Sequence, residues 1–183
     1  MRITTLCVLL TSLTLPAYAA QWCSAGAGEF SFAATIEGVA TPGRFRKYVV
    51  DLEFDPANPT DGHLRVTVDL RAADMGDPDM NAVLFDPAWF DVDEFTEAIF
   101  ASDDLRQESP GEFVATRLLD LKGVRKPVSV PFAWMPDGDG ARMEGQFLLR
   151  RTDFDIGNGE WASADTIGVD VTLTFAIQIE HCA

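Results

Sequence analysis

Few residues of this sequence are of the types that carry nucleophilic or acid–base chemistry. It contains two histidines and three cysteines, and no Gly-x-Ser-x-Gly motif that would mark an activated serine. His63 falls on the polar side of an alternating segment, and His181 lies next to Cys182 near the C-terminus. Because no motif places a serine or cysteine nucleophile beside either histidine, both are predicted to face solvent, and no catalytic residue is expected.

Metal-ligating patterns are also weak. Asp153 and Asp155 resemble the start of a calcium loop, but the sixth position is Asn158 instead of glycine and the spaced glutamate is missing. The segment 74–97 holds eight acidic residues and no lysine or arginine, which is more typical of a solvated loop than of a cation site. Two histidines cannot supply the closely spaced ligands of a zinc site. We therefore expect no metal.

The first 19 residues have the three regions of a signal peptide in order. Arg2 supplies the positive charge, residues 6–15 are a mostly apolar run, and Pro16-Ala17-Tyr18-Ala19 provides the small-x-small cleavage site. The run is too short for a membrane span. A buried N-terminal helix fits these three regions less well. A lipoprotein modified at Cys23 also fits less well, because the bulky Trp22 precedes that cysteine. The mature domain is expected to be residues 20–183, and its location the periplasm.

Removal of the signal peptide leaves two cysteines, Cys23 and Cys182, near opposite ends of the mature chain. A pair of cysteines in an oxidising compartment is typical of a disulfide, which is the prediction here, with two free thiols as the alternative. A redox-active site is not expected, because the chain lacks a Cys-x-x-Cys motif.

The composition also limits the partners. The formal net charge is −15 and becomes −16 when Arg2 is removed. Such a chain repels phosphate backbones and anionic membrane surfaces, so nucleic acid is excluded as a partner. No second apolar stretch is long enough for a transmembrane segment, and the charge favours solubility.

The elements that must position any site are strands, because apolar residues recur with a period of two. The alternation is clearest at Leu64, Val66, Val68 and Leu70 and from Ile167 to Ile179. The other alternating segments are 30–36, 48–54, 128–134 and 143–149. Residues 78–85 are expected to form a short helix, and residues 156–164 an irregular turn with a possible helical turn.

Turn signals at 55–62, 109–111, 122–123 and 136–140 connect these segments in sequence. About eight long strands, each with one apolar face, cannot remain an open sheet without exposing that face and two edges. The predicted fold is therefore all-β, a single antiparallel up-and-down, lipocalin-like barrel of about eight strands, with a two-sheet sandwich as the competing solution.

Several short stretches, in order and at characteristic spacing, carry a family resemblance. They are residues 43–45, 52–56, 89–90, 95–102, 111–115, 119–128 and 151–157. On these the chain, from about residue 27 to residue 180, resembles the YceI-like family of periplasmic polyisoprenoid-binding proteins, which have a lipocalin-like barrel. The acidic segment 74–97 departs from the family pattern, where a basic segment with histidine is frequent.

The resemblance implies a non-enzymatic carrier that holds a long isoprenoid lipid, a prenyl quinone or a polyprenyl phosphate, inside the barrel. No other cofactor is expected. Physical reasoning alone leaves open a filled barrel, in which the thirteen phenylalanines and four tryptophans form an ordinary core. Such a protein would act through its surface as an interaction module for an envelope protein, for example a membrane-bound one.

If the barrel is hollow, its inward-facing residues are expected to bind the lipid. These candidate ligand-binding residues are Phe32, Tyr48, Val66, Val130, Phe132, Phe147, Val171 and Phe175. The Tyr48 hydroxyl is expected to form a hydrogen bond with a polar head group or with a buried backbone group. Arg44, Arg46 and Arg150 are expected to point outward and to miss the lipid chain. The alternative for Arg44 and Arg46 is contact with a head group at the open end of the barrel.

Overall fold

The chain folds into strands over most of its length. A computed structural model describes residues 20–182, apart from the side chains of residues 25–27. Its eleven strands are β1 Ala20–Ile36, β2 Val39–Phe45, β3 Tyr48–Phe54, β4 His63–Asp69, β5 Ala73–Asp74, β6 Glu97–Ser102, β7 Leu105–Ser109, β8 Glu112–Leu121, β9 Val124–Asp137, β10 Gly140–Arg150 and β11 Ile167–His181. One α-helix, α1 Pro78–Phe85, and short 3-10 turns at Pro59–Asp61, Leu70–Ala72, Arg151–Phe154 and Gly159–Trp161 complete the described elements.

The strands close into a barrel because β1 pairs with β11, the first strand with the last. All pairings are antiparallel, and the order around the barrel follows the sequence. β2 and β3 pair with successive parts of β1, and β6 and β7 with successive parts of β8, so each pair forms one interrupted barrel strand. The predicted antiparallel up-and-down barrel of about eight strands is confirmed, and the sandwich alternative is excluded.

Alternation of apolar and polar residues sets the faces of the strands, as expected. In β3, for example, Val50, Leu52 and Phe54 are buried while Asp51 and Glu53 are exposed. The predicted helix is α1: Pro78 occupies its first turn, where its missing N–H costs nothing, and the Asp77 carboxylate accepts hydrogen bonds from the backbone N–H groups of the first turn.

β1 begins ten residues before the alternation at Phe30 predicts. A register shift between Ser24 and Gly28 interrupts the alternation, so the period of two is lost there although the pairing with β11 continues. The extension brings Cys23 next to Cys182, and the structure contains the predicted disulfide, with the two Cα atoms 5.3 Å apart. His63 and His181 are both exposed, and the His181 ring stacks on Trp22 at 4.0 Å between ring centres.

The interior of the barrel is filled at one end only. Next to the disulfide lies a group that we call the aromatic plug: Phe54, Phe113, Phe132 and Trp134, with exposed fractions between 0% and 6%. Phe54 contacts the other three with ring centres 5.0–5.9 Å apart. The opposite end, where α1 and the turns at Ile36–Val39 and 151–166 lie, contains empty space. The barrel is therefore neither fully hollow nor fully filled.

Candidate functional site

A cavity of about 440 Å³ occupies the end of the barrel opposite the aromatic plug. This volume falls in the range of roughly 300–1,000 Å³ that is typical of small-molecule sites. Apart from Asp79 and Arg151, the residues that line it are hydrophobic. Among them Val83 of α1 is 43% exposed, and Asp79 is exposed as well, so this helix borders the opening of the cavity, which we call the mouth.

Six of the eight candidate residues line this cavity. They are Phe32, Val66, Val130, Phe147, Val171 and Phe175. They come from β1, β4, β9, β10 and β11, so most sides of the barrel contribute. The structure brings these residues together around one space, and their contact with a ligand stays a prediction.

Tyr48 and Phe132 do not line the cavity. Phe132 lies two residues beyond Val130 on β9, which is far enough along the strand to place its ring in the aromatic plug, 5.6 Å from Phe113. The Tyr48 ring packs edge-on against Phe30, and its hydroxyl lies beside Gly28. Burial, together with the neighbouring Glu29 carboxylate, raises the pKa of this hydroxyl, so Tyr48 stays protonated at neutral pH.

The part of the wall that does not come from alternating strands was not predicted from the sequence. Met80, Val83 and Leu84 of α1 line the cavity, as do Ile156 and Trp161 from the segment after β10. The contribution of α1 could have been predicted, because a short helix with several apolar residues is expected to bury them against the apolar face of the barrel. Ile156 and Trp161 belong to no periodic pattern, so the sequence does not predict that they line the cavity.

Two glycines let large rings lie flat against the wall. Gly43 faces Phe32 across β2 and β1, and Gly145 faces Phe175 across β10 and β11. A Cβ atom at Gly43 would lie 2.3 Å from the Phe32 ring, and one at Gly145 would lie 2.4 Å from the Phe175 ring. Each ring therefore covers the surface of a glycine on the next strand, which leaves the centre of the barrel open.

Arg151 is the charged residue most deeply buried in the wall, with 2% of its surface exposed. Its guanidinium donates to six backbone carbonyl oxygens, at distances of 2.7–3.4 Å. These oxygens belong to Ile156, Gly157, Trp161, Ser163, Ile167 and Gly168. Burial lowers the pKa of this guanidinium from its usual value, which is far too high for the side chain to lose its proton. Arg151 thus holds the segment 156–168 in place and closes this side of the cavity.

Trp89 packs against Arg151, with the guanidinium carbon 5.6 Å from the ring centre. The edge of its six-membered ring lies against Gly157, where a Cβ atom would be 3.1 Å away. The indole Nε1 of Trp89 is fully enclosed and has no hydrogen-bond partner, the one such side-chain atom within residues 20–182. The wall therefore offers the cavity no accessible free donor from this ring.

The remaining arginines near the mouth point outward, as expected. The side chains of Arg44, Arg46 and Arg150 are 63%, 59% and 63% exposed. Arg44 and Arg46 both contact the Asp74 carboxylate, which also accepts from the Asn81 amide. Hydrogen bonds from Asn81, from the Gly76 N–H and from Arg46 hold the pKa of Asp74 well below its usual range.

Within the described residues, no cluster of three or more histidine, cysteine, aspartate or glutamate side chains could hold a metal ion. Asp153 lies 3.8 Å from the Lys126 ammonium. The same part of the chain contains no helix long and apolar enough to cross a membrane. The predicted signal peptide, residues 1–19, lies outside the described residues.

A comparison with protein families identifies the group to which this barrel is related. Residues 25–179 match the model of the YceI-like domain, which is most of the chain. The chain belongs to the YceI-like family. Among its curated relatives, a protein of Vibrio campbellii is 28% identical over 120 residues, which are 62% of this chain and 64% of that protein. Protein YceI of Salmonella arizonae is 29% identical over 122 residues, or 62% of each chain. The aligned part thus spans less than two thirds of these relatives.

Solved structures of related proteins have the same barrel. The crystal structure of BcnA of Burkholderia cenocepacia superposes with a TM-score of 0.80 at 26% identity and covers 82% of this chain and 95% of that one. A domain of Saccharophagus degradans described as polyisoprenoid-binding gives a TM-score of 0.72 at 15% identity and covers 90% of this chain and all of that one. At that identity the second likeness shows the fold alone.

Proposed function

We propose that this member of the YceI-like family is a non-enzymatic periplasmic carrier that holds one long isoprenoid lipid in the cavity of the barrel. The observation that carries the proposal is the cavity of about 440 Å³ with a wall that is hydrophobic except for Asp79 and Arg151. Each methylene that leaves water contributes about 0.8 kcal/mol, so an apolar chain gains binding energy from such a wall without specific contacts. The polyisoprenoid-binding domain of Saccharophagus degradans, which has the same fold, supports the choice of an isoprenoid.

Among the lining residues Asp79 is the one acid–base group, and no nucleophile accompanies it. Arg151 is the one cation of the wall and is already bonded to backbone carbonyls, and no histidine, serine or cysteine belongs to the lining. The alternative, a barrel that acts through its surface on an envelope protein, would need no interior space. The empty half of the barrel therefore favours the carrier.

Purified protein from its native host is expected to release isoprenoid lipid on extraction with organic solvent, detected by mass spectrometry. The lipid is expected to stay bound through purification, because a chain buried in a hydrophobic cavity dissociates slowly into water. A sample that yields no lipid, and that takes up none from added polyprenol, would contradict the proposal.

Substitution of Val171 by tryptophan is expected to abolish lipid uptake while changing the free energy of unfolding by less than about 1 kcal/mol. Val171 lines the cavity, so the added ring has empty space to occupy. In a filled core the same change would cost about 1–3 kcal/mol. Thr172→Trp is the matched control, because Thr172 is the next residue on β11 and is not part of the lining. Normal uptake by V171W, or equal loss in T172W, would count against this cavity as the site.

A further inference from the structure

We propose that the cavity selects lipids with an uncharged head group and discriminates against an anionic one such as a phosphate. This inference rests on the proposed function and narrows its ligand. The one cation of the cavity wall is already bonded to the protein, and the lining carries a carboxylate at the mouth. Three observations support it.

The first is the state of Arg151, the one cation among the residues that line the cavity. A guanidinium has five N–H groups. Here they make six contacts with backbone carbonyl oxygens, from Nε, Nη1 and Nη2, so none remains for a ligand. To bind a phosphate, Arg151 would have to release carbonyls that hold the segment 156–168. The guanidinium of Arg151 thus stabilises the fold of this segment and has no N–H group left to bind a lipid head group.

The second observation concerns Arg44, Arg46 and Lys122, none of which is among the residues that line the cavity. Arg44 and Arg46 are bound to Asp74 and lie on the outer surface. The ammonium of Lys122 donates to the carbonyl oxygens of Pro87 and Asp155, at 2.7 and 3.0 Å. Each of these groups is already in contact with a protein oxygen, and none of them belongs to the cavity wall.

The third observation is Asp79, which lines the cavity where α1 borders the mouth and is exposed to solvent. It forms no salt bridge with any residue of the described chain. Its negative charge therefore acts on whatever occupies the opening. A phosphate there would lose part of its hydration and gain repulsion, whereas a hydroxyl or a quinone carbonyl would lose far less.

The test compares a polyprenol with its monophosphate at equal chain length, titrated into the full mature protein. A change in the intensity or wavelength of tryptophan fluorescence reports binding, because Trp89 and Trp161 line the cavity. We expect the alcohol to bind about tenfold or more tightly than the phosphate at low salt, with a smaller difference at high salt. Asp79→Lys is expected to reduce the ratio of the two dissociation constants, phosphate over alcohol, about tenfold.

Asp93→Lys is the matched control. It makes the same change in net charge within the acidic segment, but Asp93 is exposed and outside the lining. An equal reduction of this ratio by D93K and D79K would overturn the role of the mouth. Phosphate binding as tight as alcohol binding in the parent protein would overturn the inference and leave the carrier function intact. Failure of both lipids to bind would overturn the proposed function itself.

Discussion

Reduction of the Cys23–Cys182 disulfide is expected to lower the melting temperature of the domain, residues 20–183, by about 10–20 °C. The two cysteines are 159 residues apart in the sequence, so the bond closes a loop of almost the whole domain in the unfolded chain. In the chain-entropy model a loop of that length corresponds to about 5 kcal/mol of stability. The reduced barrel is expected to remain folded, because β1 and β11 are paired along most of their length without the bond.

The measurement is thermal unfolding followed by circular dichroism, with and without reductant. The double substitution Cys23→Ser and Cys182→Ser is expected to melt like the reduced protein and to be insensitive to reductant. Alkylation of the denatured, unreduced protein provides the check on the bond itself. Modification of both Cys23 and Cys182 in that sample would show that these cysteines are free thiols.

Substitution of Arg151 by methionine is expected to cost about 3 kcal/mol of unfolding free energy or more. Methionine fills part of the same volume but donates no hydrogen bond, so six carbonyl groups lose their donor. Each hydrogen bond to a charged group is worth about 1.5–3 kcal/mol, and the removal of a desolvated charge offsets part of the loss. Arg151→Lys is expected to recover only part of the stability, because an ammonium cannot reproduce the planar fork.

Urea denaturation measures the loss of stability, and hydrogen exchange locates it. Faster exchange is expected in residues 156–168, and lipid should dissociate faster because Ile156, Trp161 and Ile167 belong to the cavity wall. Arg150→Met is the control: that side chain is 63% exposed and lies 3.9 Å from Asp170, so its loss should cost under about 1 kcal/mol. Equal effects of R150M and R151M would show that the buried carbonyl contacts do not stabilise the wall.

The fold was largely predictable from the sequence because the information for it is local. Alternation of apolar and polar residues, as in β3, β4 and β11, identifies the strands and the face that each one buries. The turn residues between them indicate that consecutive strands pair antiparallel, which leaves few possible topologies. β1 shows the limit, since its first part follows no alternation and is recognised as a strand only by its partner, β11. Pairing partners far apart in the sequence leave no local pattern.

The site was less predictable because depth along a strand is not encoded in its alternation. Val130 and Phe132 have the same parity on β9, yet one lines the cavity and the other lies in the aromatic plug. Arg151 was noted only within a family motif, because a cation after a strand gives no sign that six carbonyls will converge on it. Such convergence depends on the path of residues 156–168, which tertiary packing determines.

The closure of the barrel by its first and last strands has a consequence for how the protein folds. The β1–β11 pairing joins the first and last strands of the domain, and β11 ends at His181. The sheet therefore stays open until β11 has formed, even if all the other strands are already paired. Contacts between such distant segments carry a large loop-closure entropy, which makes folding slow compared with that of helical proteins. Until closure, two unpaired edges and the apolar face remain exposed to other chains. A truncation that removes β11 is therefore expected to aggregate instead of forming a smaller barrel.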